Sequence, residues 1–368
     1  MTFRILASRA RRSAALAVAA ALLPVALIAS PAAAVNHIHL LVGLGNCNFS
    51  GANAIASTTV KVEWRDSEGR LKSKQSVKSN ASGKFNTLCE FDELVEAGDT
   101  IKTTGTNGTK TVTVADLSLQ VDRASDVVAG TAPLLEELVI EVDTYNGKFG
   151  VPVVHTLNVQ ADGSGDWSAD FGADSVDIKG WDDAFVVFEN PGTVDTYYRH
   201  VIAQAARVFV GSPWVTLDGN PGDNVTLDLK DGASPLGTLG GYLDFWGTSV
   251  SEFVDAGQRV VRPHIGNHVV SATYPDIDFT IPAVSATLSA SSDKVTAHCG
   301  QTGRGVSVWA HTRNFSKAIE RHGVTAAGDT FVANFANAPK FDLVSGSKVD
   351  IYCKLAKGDV VAREYTLP

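Results

Sequence analysis

Methionine occurs only at the start of this 368-residue chain, and charged residues make up only 19% of it. The first absence excludes a Met-rich, re-packable binding face. The second, together with 33 Gly and a wealth of Val and Thr, disfavours charged helices and fits strands joined by tight turns. Catalytic signatures are missing too. His264-Ile265-Gly266-Asn267-His268 has two His but lacks the Glu of a zinc-peptidase helix, and Gly266-Asn267 signals a turn. Gly305-Val306-Ser307-Val308-Trp309 begins like a serine-hydrolase elbow but ends in Trp inside an alternating strand. No C-x-x-C pair is present, so the cysteines do not read as a zinc site. No long basic run interleaved with aromatics occurs. The densest stretch, Arg70 to Lys78, reads as a solvated strand face, which excludes nucleic-acid binding.

What is present begins at the N-terminus. Arg4, Arg9, Arg11 and Arg12 precede an apolar stretch from Ala14 to Ile28 and a small-residue end at Ser30-Pro31-Ala32-Ala33-Ala34. These are the three parts of a secretory signal peptide of bacterial style, expected over residues 1–34. Its removal takes four Arg and no acid, leaving 27 basic and 40 acidic side chains, a formal charge of −13. The signal peptide implies a mature chain outside the cell, and its acidity would keep it away from nucleic acid and anionic membranes. No second segment is long and apolar enough to span a bilayer, so no membrane span is expected in the mature chain.

Three landmarks recur in order along the chain. The first is an alternating strand pair, as in Thr59–Trp64, Leu138–Val142, Asn224–Leu229 and Lys294–Cys299. The second is a Gly turn before an aromatic strand: Gly83-Lys84-Phe85, Gly165-Asp166-Trp167, Gly240-Gly241-Tyr242 and Gly328-Asp329-Thr330-Phe331. The third is a Gly followed by polar residues and a strand, at Gly98-Asp99, Gly180-Trp181-Asp182-Asp183, Gly257-Gln258 and Gly346-Ser347. The expected fold is all-β: four tandem antiparallel sandwich repeats, at 35–116, 117–205, 206–285 and 286–368. Cys47, Cys89, Cys299 and Cys353 fall two near each end, which favours local disulfides Cys47–Cys89 and Cys299–Cys353 among three connectivities. Staples in terminal repeats would stabilise exposed ends.

The run Val121-Asp122-Arg123-Ala124-Ser125-Asp126-Val127-Val128-Ala129-Gly130-Thr131-Ala132-Pro133, the Gly165-Asp166-Trp167 turn and the Gly98-Asp99-Thr100-Ile101 step resemble bacterial extracellular immunoglobulin-like repeat modules. The resemblance implies a sandwich fold and an adhesive or spacer role, and it brings no catalytic residue and no cofactor. The expected function is that of a secreted, non-catalytic structural or adhesive protein facing cell wall, matrix or an extracellular protein. A carbohydrate-binding array is the alternative and a secreted hydrolase a lesser one. Sugar rings stack on exposed aromatics, and Trp181, which departs from the repeat pattern, is the best candidate with Tyr197 and Tyr198. Asp182 and Asp183 beside it are the most suggestive acids for a hydrolase. Asp162–Asp166 and Asp218–Asp223 are candidate calcium loops, although Asp, Asn and Gly also dominate ordinary turns. His37 and His39 share a strand face in the manner of a metal chelate, yet two polar residues at a new N-terminus explain them as well.

Overall fold

In a computed structural model, the residues described are 38–89, 93–106, 108–145, 151–244 and 247–368. The expected signal peptide, His37 and Trp246 lie outside them. Among the described residues the fold is all-β, the only helical pieces being single 3-10 turns at Gly172–Asp174 and Ala290–Ser292. Alternation decides which face each strand buries. Val60, Val62 and Trp64 of Thr59–Arg65 are buried, as are Leu138, Ile140 and Val142 of Glu137–Thr144, while their neighbours face outward.

Residues 38–204 form one two-layer sandwich. Its larger layer is a seven-stranded sheet in the order Val153–Gln160, Glu137–Thr144, Asp183–Glu189, Thr196–Ile202, His39–Leu44, Phe49–Ala52, Phe85–Asn86. Two smaller sheets supply the facing residues. One runs Leu71–Lys78, Thr59–Arg65, Thr100–Gly105, Gly108–Thr113, and the other Asp166–Asp170, Val127–Thr131, Gln120–Asp122. Leu40, Trp64, Val128, Ile140, Trp167 and Val186 belong to one apolar core between the layers.

Residues 205–368 repeat this plan. A seven-stranded sheet runs Thr248–Glu252, Trp214–Asp218, Ala205–Phe209, Val360–Thr366, Lys348–Lys354, Gly305–His311, Ala318–Val324. Four strands from Ser234–Tyr242 to Asp278–Thr280 and three from Ser285–Ser289 to Thr330–Asn334 complete it. A second core holds Val208, Leu227, Val295, Val308 and Ile351.

Each large sheet has one parallel seam, where the first strand of the half lies beside its last: Leu41 opposite Thr196, and Arg207 opposite Val360. A buried aspartate closes each seam. Asp195 Oδ1 accepts the Leu40 amide at 2.8 Å and Asp359 Oδ1 the Ala206 amide at 2.9 Å, across 155 and 153 residues of chain. Strand periodicity is a local signal and cannot announce such distant pairs.

Among the described residues two hydrogen-bonded turns each occur four times. Gly83, Gly165, Gly247 and Asp329 have positive φ, and their carbonyls accept the amides of Ala54, Ala132, Gly219 and Cys299. The carbonyls of Ala54, Ala132 and Gly219 stand where a Cβ at the three glycines would go, so a side chain there would force the backbones apart. The second turn places Gly98, Trp181, Gly266 and Gly346 at φ 83°, 71°, 89° and 82°. In each case the next residue, Asp99, Asp182, Asn267 or Ser347, accepts through its side chain the amide three positions back. These geometries correct two landmarks. Gly240-Gly241-Tyr242 belongs to the strand Ser234–Tyr242, and the turn lies at Gly247. Gly257 sits in a separate turn capped by Asp255, and Gly266 occupies its expected place.

The disulfides are Cys47–Cys89 and Cys299–Cys353, with Cα separations of 4.8 and 5.6 Å.

Candidate functional site at the junction of the halves

The turn ahead of Asp183–Glu189 gathers charged and aromatic side chains from both halves. At the left-handed position that glycine fills in the three sibling turns stands Trp181. Its indole is covered by the guanidinium of Arg207, 4.5 Å from the ring centroid, and Arg207 also lies 5.4 Å from the ring of Tyr352. Trp181 therefore joins the first half to the first strand of the second. Asp182 follows, 1% exposed. Its Oδ2 accepts the Lys179 amide at 2.7 Å, its Oδ1 accepts the Tyr145 amide at 3.0 Å, and Lys354 Nζ stands 3.9 Å away. Burial pushes Asp182 up to about 6, against the pull of Lys354, and burial lowers Lys354 in turn.

Beside this pair, Arg123 spans the junction. It donates to the Gln204 and Asp276 carbonyls, and its Nη2 faces Asp359 Oδ2 at 3.6 Å, with both side chains 2% exposed. Gln204 Nε2 donates to the Val121 carbonyl at 2.9 Å. The Gly180 amide donates to the Lys357 carbonyl at 2.8 Å, and Gly358 packs so closely on Gly180 that neither turn has room for a Cβ at residue 358. A cavity of about 420 Å³ opens nearby, lined by Arg123, Asp126, Asp177, Asp276 and Lys357 among others.

A second polar group lies on the outer face of the first large sheet. Asp143 and Asp183 are direct cross-strand partners. Asp183 contacts His200 Nε2 at 2.7 Å and accepts the Tyr145 hydroxyl at 3.0 Å. Asp143 Oδ1 is buried with no hydrogen-bond partner, and burial, then the negative charges of Glu141 and Asp183, push Asp143 up to about 6. Two carboxylates, a His and a Tyr are ingredients for proton transfer. Asp143 and Asp183 are only 7% and 9% exposed, however, and neither lines the cavity.

The other sequence candidates are dispersed. Tyr197 is 1% exposed, stacks on Phe188, and donates to the Thr113 carbonyl, so it offers no face to a sugar. That corrects its place beside Trp181: alternation turns Tyr197 to the core and Tyr198 outward. Tyr198 is half-buried, bonded to Asn46, and pairs with Val187, well along the strand from the Trp181 turn. Asp162 Oδ1 accepts the amides of Ser164 and Asp166, the geometry of a turn. Asp218 accepts Thr248 Oγ1 and Asp223 accepts the Tyr274 hydroxyl. His39 bonds Asn53, His268 pairs with Asp278, and Ser307 donates to Glu320. Among the described residues no three His, Cys, Asp or Glu side chains are grouped to hold a metal ion. Arg207, Lys354 and Asp359 have no distinctive spacing in the sequence, and Arg123 stands out there only as part of the run Val121–Pro133, not as a buried link between halves.

No protein-family model and no curated protein matches this chain. Among solved structures, a tetra-tandem repeat from the extending region of a large adhesion protein covers 90% of this chain and 100% of its own, at 13% identity and TM-score 0.19. A Ca2+-stabilized, ice-binding adhesin of an Antarctic bacterium covers 89% and 95%, at 14% identity and TM-score 0.18. A Salmonella alpha-2-macroglobulin covers 90% and 33%, at 9% identity and TM-score 0.20. Bacterial adhesin repeats are thus among the structural neighbours.

Proposed function

We propose that the mature chain is a secreted, non-catalytic structural or adhesive repeat protein that presents surface to cell wall, matrix or an extracellular protein. The observation that carries this reading is the buried Arg123, which ties one half to the other through Asp276 and Asp359. The buried charges at the junction are engaged by other groups of the same chain. Asp182 holds a turn and faces Lys354, and Asp359 holds a seam. The proposed units are 35–116, 117–205, 206–285 and 286–368, following a signal peptide at 1–34. One copy of each recurring turn within every unit supports that division. Export is supported by the two disulfides, which persist in oxidising compartments.

The test is depletion of the chain from Val35 onward on insoluble polysaccharides, purified cell walls and matrix-coated surfaces, with product release followed in parallel. Saturable binding to one of these without released sugar or peptide is the expected outcome, and turnover of any of them would overturn it. Trp181→Ala should bind as wild type does, since Arg207 already occupies a face of the indole. Lost polysaccharide binding in that variant would move the function to a carbohydrate site at Trp181.

A further inference from the structure

The strand Val153–Gln160 ends the first seven-stranded sheet. A sheet edge exposes a row of unpaired N–H and C=O groups, which proteins commonly guard with charge, proline or a covering loop. The corresponding edge of the second half, Ala318–Val324, is guarded. Arg321 lies in its middle, with Nε donating to the Asn334 carbonyl at 3.0 Å and Nη2 to those of Asn337 and Pro339 at 2.9 and 2.6 Å. Following the ladders from the equivalent turn residues Trp181 and Gly346, Glu320, Arg321 and His322 stand where the first half has Thr156, Leu157 and Asn158.

Between Val153 and Gln160 there is no Asp, Glu, Lys, Arg or Pro. His155, the single ionisable residue, is bonded to Thr144 Oγ1 at 3.0 Å. Apolar side chains flank both ends. Val151, Val153 and Val154 are 93%, 46% and 41% exposed, and Leu135, whose carbonyl accepts Gln160 Nε2, is 63% exposed.

We infer that this edge pairs antiparallel with the same edge of a second copy, joining two seven-stranded sheets across a two-fold axis. An isologous contact needs a self-complementary surface, and this strand has one. Placing Thr156 opposite its own copy sets Val153 against Val159 and Val154 against Asn158, with every pair on a common face of the joined sheet. Charge favours the same occupant. The chain carries 40 acids against 31 bases, so copies repel over much of their surface, but within Val153–Gln160 no like charges meet. A foreign charged segment would find no countercharge there to select it.

About eight residues a side bury less than the ~1,200 Å² of a standard stable complex, so the expected dimer dissociates at about micromolar to millimolar concentration. Tethering copies to one surface raises their effective concentration into that range. Sedimentation equilibrium of the full mature chain from about 10 μM to about 1 mM should show monomer and dimer. Thr156→Lys/Asn158→Lys changes two exposed, outward side chains and should weaken the dimer about tenfold or more with an unchanged melting temperature. Should that variant misfold, Thr156→Cys provides the second measurement, giving a disulfide-linked dimer on mild oxidation. A wild type that stays monomeric throughout, or dimers indifferent to both lysines, would overturn the inference. Capture of a foreign strand by a monomeric wild type would overturn it equally. None of these results touches the surface-binding assay, so the two readings fail separately.

Discussion

Asp143 keeps Oδ1 buried and unpartnered beside Glu141 and Asp183, and its pKa is pushed up to about 6. The unfolded chain releases that proton near pH 4, so between about pH 4 and 6 the folded state holds a proton that the unfolded state has lost. This contribution to stability is therefore full below about pH 4 and is lost as pH rises through about 6. Asp143→Asn preserves the shape and abolishes the charge. At pH 7 the variant should be more stable by about 1–2 kcal/mol, and at pH 4 the two proteins should agree within a few tenths. Melts of both at pH 4, 5, 6 and 7 decide the matter, and curves that run parallel would show that Asp143 is not the source. Asp182 and Asp359 are raised to about 6 by burial as well, so the variant retains part of a slope of the same sign.

Among elements, the turn at Lys179–Asp183 shows most clearly what was legible. Its aspartate could be read as a catalytic acid only because a single sequence does not reveal that Asp99, Asn267 and Ser347 bond their own turns in the same way. Strands and the disulfide pairing were readable, since alternation and cysteine order are local facts. The seams were not, because they join residues more than 150 positions apart, nor was the junction, whose contacts range from 26 positions for Trp181 and Arg207 to more than 150 for Arg123 and Asp276 and follow no local period. The third-copy turns were misplaced because Gly240-Gly241 inside a strand looks like a turn in sequence, and because Gly257 sits in a turn of another kind, capped by Asp255. Trp181 departs from its siblings at a cost: a left-handed backbone costs a residue with a Cβ about 1–2 kcal/mol, and its buried indole Nε1 has no partner. Stacking on Arg207 offsets part of this. Trp181→Gly should relieve the strain and lose the stacking, whereas Trp181→Ala loses the stacking and retains the strain. The glycine variant should therefore be the more stable of the two, by about 1 kcal/mol in denaturant titrations. Equal stabilities would mean that the backbone is not strained at this position.

At the scale of the whole molecule, two apolar cores are joined by buried charges. The first draws its residues from Ile38 to Ala203 and the second from Ala206 to Leu367. Coupling between the halves should thus depend on a few polar side chains. Arg123 is the most exposed to test, because Asp359 both faces it and holds the seam of the second half through the Ala206 amide. Arg123→Met would leave Asp359 buried without its cation, a loss of about 3–5 kcal/mol. The cost falls on the second half, whose calorimetric transition should drop by roughly 10 °C and separate from the first. Adding Asp359→Asn should recover much of it, since a neutral amide still accepts the Ala206 N–H and no longer needs a countercharge. The double-mutant cycle then returns a coupling of about 2 kcal/mol or more. Strictly additive losses, with the two transitions moving together, would instead mean that the halves are held by contacts other than the Arg123–Asp359 pair.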